Sequence, residues 1–170
     1  PKSPGFRDEM AITTYATHEL VSADLNGDGV ADLVGVDRTN DLMRVILGDG
    51  NGSFATPVSY AVENFPEFLD LGDLDGDGDV DVAVSNAYGG SMSVFLNTGN
   101  GTFPAATQYT LSHHLQDVEL TDLDGDGDLD AVAVARGNDS GGRGDDRVWL
   151  LTNDGTGAFS TQSIDAGGQR

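Results

Sequence analysis

The chain has 170 residues, with 29 Asp or Glu against 8 Lys or Arg and a formal charge of −21. That length gives one domain able to bury a core, and the charge sets the surface against nucleic acid and anionic membranes. Cysteine is absent, which excludes a disulfide scaffold and a catalytic thiol, and no apolar run is long enough to span a bilayer as a helix.

Residues 1–15 open the chain, and their Phe6 lies 18 residues before Asp24, close to the 19 that separate Phe54 from Asp73 and Phe103 from Asp122. Gly5 to Tyr15 is therefore predicted to be the fourth strand of a preceding unit, and Pro1 as first residue fits a processed or excised start. A strand over 16–23 then leads into Asp24-Leu25-Asn26-Gly27-Asp28-Gly29-Val30-Ala31-Asp32. The loop returns 49 residues later as Asp73-Leu74-Asp75-Gly76-Asp77-Gly78-Asp79-Val80-Asp81, and after another 49 as Asp122-Leu123-Asp124-Gly125-Asp126-Gly127-Asp128-Leu129-Asp130. An apolar run follows each copy, and Gly-rich turns ending in Phe54, Phe103 and Phe159 come further on.

Each repeat thus reads as four strands, at 16–23, 32–37, 42–47 and 53–61, then 65–72, 81–86, 92–97 and 102–110, then 114–121, 130–135, 147–152 and 158–164. Four short antiparallel strands at this period mark a β-propeller blade, and no stretch keeps a helical period between its turn signals. The Phe of each Gly-rich turn is expected to plug the space between neighbouring units. Phe103 to Phe159 spans 56 residues where Phe54 to Phe103 spans 49, so seven extra residues fall between Arg136 and Arg147. Alternate loops of a meander lie on opposite faces. The insertion is therefore expected with the blade connectors, across from the Asp-rich loops.

Every copy of the loop carries a side-chain oxygen at positions one, three, five and nine and Gly at six. Alternate residues of a tight coil converge on one cation, and the Gly permits the turn that brings in the carbonyl of position seven. All the donors are oxygens, which favours calcium over zinc. An EF-hand needs Glu at position twelve, but Gly35, Val84 and Ala133 stand there. The predicted ligands are the side chains of Asp24, Asn26, Asp28 and Asp32, of Asp73, Asp75, Asp77 and Asp81, and of Asp122, Asp124, Asp126 and Asp130. The carbonyls of Val30, Asp79 and Asp128 complete the three shells. Thirteen of the 29 acidic residues lie in these loops, so metal binding explains most of the charge. Asn26 leaves the first site one carboxylate short, and it is expected to bind most weakly.

The pattern Asp-x-[Asp/Asn]-x-Asp-Gly-x-x-Asp, running into an apolar strand and recurring at 49 residues, resembles the FG-GAP or VCBS repeat of integrin α-subunit propellers and many secreted bacterial proteins. With it the fold class reads as all-β: three complete blades of four antiparallel strands plus one extra N-terminal strand, a partial or oligomeric propeller. The boundaries are 1–15 for the outer strand of a preceding blade, 16–61, 62–110 and 111–165 for the blades, and 166–170 for a tail. A piece of a longer array fits this strand count better than a symmetric dimer of six blades.

The resemblance implies a calcium-binding, secreted or cell-surface module for recognition or adhesion, with one structural Ca2+ per blade, three in all, and a protein or glycan partner on the face away from the metals. A carbohydrate-binding lectin using Tyr88 or Trp149, and an accessory domain of a larger secreted enzyme, are the alternatives. No catalytic constellation is present, so the chain is read as non-enzymatic, and neither nucleic acid nor membrane insertion is expected. Arg143-Gly144-Asp145 spells a tripeptide that integrins recognise, though a Gly- and Asp-rich loop produces it by chance. His113 and His114 read as surface histidines, since neighbours in an extended segment point to opposite sides. Asn51-Gly52-Ser53, Asn100-Gly101-Thr102 and Asn138-Asp139-Ser140 fit a glycosylation sequon, but the first two are the repeated turn itself.

Overall fold

A computed structural model describes residues 17–112, 114–136 and 146–166. The opening strand at Gly5 to Tyr15, His113, the Asn138 sequon, Arg143-Gly144-Asp145, the body of the insertion and residues 167–170 lie outside the described residues. The rest is built of β-strands. The first sheet holds β1 (Thr17–Ala23), β2 (Asp32–Asp37), β3 (Leu42–Ile46) and β4 (Val58–Ala61). The second holds β5 (Pro66–Gly72), β6 (Asp81–Asn86), β7 (Ser91–Phe95) and β8 (Thr107–Thr110), and the third β9 (Leu115–Thr121), β10 (Asp130–Ala135), β11 (Arg147–Asn153) and β12 (Phe159–Asp165). Each is an antiparallel meander in chain order, and the sheets pack as propeller blades with β1, β5 and β9 lying side by side. No helix among the described residues is long and apolar enough to cross a membrane.

The fourth strands of the first two blades are shorter than the sequence suggests. β4 starts at Val58 and not at 53, and β8 at Thr107 and not at 102. Proline has no N–H to give a ladder, and Pro57 and Pro104 interrupt these segments. Only an isolated bridge, Gly48 to Phe54, survives upstream of β4. The third blade has no proline in this stretch, and β12 pairs with β11 from Phe159 onward.

Strand alternation sends successive side chains to opposite blade faces. Val82 and Val84 of β6 join Val34, Val36, Met43 and Val45 in the core between the first and second blades. Ala83 points the other way, into a second core with Ala131, Ala133 and Leu151. Two of the three Phe residues of the Gly-rich turns fill the same interfaces: Phe103 is buried among first-blade residues and Phe159 packs against the second core, while the half-buried Phe54 joins neither core. Main-chain N–H groups also cross between innermost strands, from Leu69 to the Glu19 carboxylate at 2.6 Å and from Leu120 to Asp70 at 2.8 Å.

Among the described residues, the outward face of the third blade is more exposed than that of the first at two matching positions. Leu123 is 42% exposed, whereas Leu25 and Leu74 at the same repeat position are 2% and 1% exposed beneath the next blade. Val134 is 43% exposed where Val36 is 0%.

Candidate metal centres

Each Asp-rich loop is wound by its own first residue. The Asp73 carboxylate accepts the N–H of Gly76 at 2.8 Å and of Gly78 at 3.0 Å. Asp24 receives Gly27 and Gly29 at 2.9 and 2.8 Å, and Asp122 receives Gly125 and Gly127 at 2.7 and 3.2 Å. The glycines at positions four and six all have positive φ, from 72° at Gly27 to 102° at Gly127, a region that costs other residues strain. The ninth residue then closes the loop from below. Asp32, Asp81 and Asp130 are fully buried at the head of β2, β6 and β10. One oxygen of each accepts the N–H of loop position two, from Leu25 at 2.9 Å, Leu74 at 2.7 Å and Leu123 at 2.9 Å. The other accepts the N–H that opens the Gly-rich turn, from Gly48 and Asn97 at 2.7 Å and from Asn153 at 2.8 Å.

Two of the three loops gather a carboxylate triad. Oxygens of Asp73, Asp75 and Asp81 lie within 4.8 Å of one another, as do those of Asp122, Asp124 and Asp130. The first loop has Asn26 at the third position, which leaves Asp24 and Asp32 as its equivalent acids. The fifth-position residues stand outside the triads and each accept the N–H two residues on: Asp28 from Val30 at 2.8 Å, Asp77 from Asp79 at 2.9 Å and Asp126 from Asp128 at 3.0 Å. The side chains of Asp79 and Asp128 lie against Gly99 and Gly155, where an added Cβ would approach their carboxylates to 2.6 and 2.5 Å. Glycine is favoured at both positions by its backbone, with φ of 81° at Gly99 and 78° at Gly155.

The electrostatics fit a cation. Burial pushes the Asp81 carboxyl up to about 6; the Asn97 and Leu74 amides pull against the shift, and the Asp75 and Asp77 carboxylates add to it. Burial and then the Asp77 charge also raise Asp75. Convergent carboxylates that resist ionisation together become favourable ligands once a divalent ion neutralises them, and an all-oxygen donor set suits a hard ion such as calcium.

Sequence reasoning missed Asn97 and Asn153. Each is 4% exposed and saturates its amide. Asn97 Nδ2 donates to Leu25 O of the preceding blade's loop at 2.8 Å and to Val80 O at 3.1 Å, while its Oδ1 accepts the N–H groups of Gly99 and Gly101 at 3.1 Å. Asn153 repeats this toward Leu74 O at 2.7 Å and Leu129 O at 3.0 Å. The recurring Asn-x-Gly-x-Gly of residues 97–101 and 153–157 was the available signal.

The connectors and the β2–β3 type turns share the opposite end. Ala87 N–H donates to Phe65 O at 2.9 Å, and Arg136 N–H to His114 O at 2.9 Å. Phe65 and His114 both have φ of 61°. The Phe65 ring stacks on Tyr88 with centroids 4.4 Å apart and lies 4.8 Å from the Arg38 guanidinium, while His114 meets Tyr88 edge-on at 5.5 Å. Tyr88 is 50% exposed. Arg38 bonds His18 at 2.7 Å and pairs with Glu67. Trp149 is part of the second inter-blade core, its indole N–H donating to Ser112 at 3.1 Å. Asn51 and Asn100 are exposed, and each uses its Oδ1 within its own turn.

The profile of the FG-GAP-like repeat matches residues 24–84 and again 73–133. The chain belongs to that family. The FG-GAP-like match covers all three loops and the first two Gly-rich turns. No curated protein matches the chain. Among solved structures, it is similar to an Agrocybe aegerita lectin described as recognising non-reducing terminal N-acetylglucosamine, at 25% identity and a TM-score of 0.58 over 89% of this chain. The chain spans 39% of that lectin's length. A Tc holotoxin pore from Photorhabdus luminescens aligns over 87% of this chain and 7% of its own, at 21% identity and a TM-score of 0.47.

Proposed function

We propose that this FG-GAP-like segment is a calcium-stabilised, extracellular recognition module without catalytic activity of its own. The observation that carries the reading is the pair of carboxylate triads, Asp73, Asp75 and Asp81 and Asp122, Asp124 and Asp130, each built on a buried ninth-position Asp. Three ions, one per blade, would hold strand to strand at one end and leave the other for a partner. Loops of this kind fill at the calcium levels found outside cells, which supports secretion or display at the cell surface. The partner is a glycan or a protein. The likeness to an N-acetylglucosamine lectin favours a glycan, and so does the stack of half-exposed Tyr88 on Phe65, an aromatic surface suited to the apolar face of a sugar ring. An accessory role beside a secreted catalytic domain uses the same chemistry.

A calcium titration by calorimetry, paired with a glycan array run with calcium and with chelator, tests the reading. Calcium heat together with metal-dependent glycan capture supports it. A flat calcium titration would remove its basis.

A further inference from the structure

The three ninth-position carboxylates are joined by one path of hydrogen bonds. Asp32 accepts the Leu25 N–H at 2.9 Å, and the Leu25 carbonyl accepts from Asn97 Nδ2 at 2.8 Å. The Asn97 main-chain N–H donates to Asp81 at 2.7 Å, and Asp81 also accepts the Leu74 N–H at 2.7 Å. Leu74 O accepts Asn153 Nδ2 at 2.7 Å, and the Asn153 N–H donates to Asp130 at 2.8 Å. Asp32, Asp81, Asp130, Asn97, Asn153, Leu25 and Leu74 are all buried, so solvent offers these groups no replacement partner. In the first blade Gly48 takes the Asn position; it keeps the 2.7 Å main-chain bond to Asp32 and has no side chain to reach a neighbour.

We infer that Asn97 and Asn153 are positioning residues that couple the three metal loops, so that calcium in one loop raises the affinity of the next. The inference rests on the calcium reading above. An ion at the second loop fixes Asp81, which fixes the Asn97 main chain. Its side chain then holds Leu25 O and shapes the first loop between Asp24 and Asn26. Asn153 does the same from the third loop to the second. An ion entering a loop that is already shaped meets a smaller ordering cost, and this is positive coupling; by linkage it acts in both directions. Gly48 ends the path among the described residues, because a Cβ there would lie 2.5 Å from Ala31 O.

The test is a calcium titration of the whole chain followed by amide NMR, with the signals of Gly27, Gly76 and Gly125 reporting the loops separately. Asn97→Gly, which places in the second blade what the first blade already has, cuts the path between the first and second loops. Asn153→Gly cuts it between the second and third. The expected pattern is crossed: N97G raises the calcium midpoint of Gly27 about fivefold or more and moves Gly125 less, and N153G does the reverse. Should either glycine variant fail to fold, Asn→Ser at the same position keeps a polar group too short to reach the neighbouring loop. Equal shifts of Gly27 and Gly125 in both variants would mean general loosening and overturn the coupling, as would midpoints unchanged from wild type. Wild-type signals that calcium does not move would sink the metal reading, and the coupling with it.

Discussion

The Tyr109 hydroxyl accepts the main-chain N–H of Phe159 at 3.1 Å, and Tyr60 receives Phe103 in the same way at 3.4 Å. In both pairs the rings also meet edge to face, 5.4 and 5.5 Å apart, so the fourth strand of one blade holds the Gly-rich turn of the next. Removing the ring should cost more than removing the hydroxyl. Phe103→Ala empties a buried site and is expected to destabilise by roughly 3 kcal/mol or more, whereas Tyr109→Phe loses two partly buried hydrogen bonds, the one from Phe159 and one donated to Gly157 O at 3.3 Å, together worth about 1–2 kcal/mol. Urea denaturation of the two variants measures the difference.

The blade faces give a second comparison. Val36 and Val134 occupy the same repeat position and point the same way, but only Val36 is covered. Val36→Asp buries an unpaired charge and should cost roughly 3 kcal/mol or more, enough to unfold a marginal domain. Val134→Asp should change the stability of this chain by less than about 0.5 kcal/mol. Matched urea curves decide it. A large loss at Val134 would mean that its face is covered in solution.

Asp81 predicts a pH dependence whose sign reverses with metal. Its folded-state carboxyl stands at about 6 against an ordinary 3.8, so the proton prefers the folded, metal-free chain. For this group, stability without calcium is greatest below pH 3.8 and is lost as pH rises through about 6. Calcium requires the ionised form. Affinity at the second loop should therefore fall as pH drops below about 6, by up to about tenfold per pH unit. Calorimetry at neutral and mildly acidic pH, with Asp81→Asn as the control, reads this directly.

The first loop offers a gain-of-affinity test. Asn26 Nδ2 donates to Asp28 at 3.0 Å, where the other two loops have a carboxylate at the third position. Asn26→Asp completes the acidic set and is expected to tighten calcium at that loop by several-fold. In the amide NMR titration the Gly27 midpoint should shift to lower calcium, and an unchanged midpoint would place the third position outside the shell.

Much of this was legible in the sequence because it is local. Position nine leads straight into β2, β6 and β10, and these strands begin at Asp32, Asp81 and Asp130 as the apolar runs predict. The plugs Phe103 and Phe159 were legible from their recurrence, which gave Phe54 the same role although it joins neither core. The start of β4 and β8 was not, since the 49-residue repeat carries the strand pattern through Pro57 and Pro104 where the ladder cannot follow. At the loops, the side chains at positions one, three and nine of the second and third copies gather, and those at position five accept the N–H two residues on, as those at position three also do. Asn97 was hidden for a different reason. Its partner Leu25 O lies 72 residues away, and only packed blades bring the two together.

The proposed role of calcium is structural, and a thermal melt in calcium against a melt in chelator tests it most directly. At about a hundredfold excess over the dissociation constant each ion contributes about 2.7 kcal/mol, so three should raise the melting temperature by roughly 15 °C or more over the metal-free chain. The same melting temperature in both conditions would contradict the account.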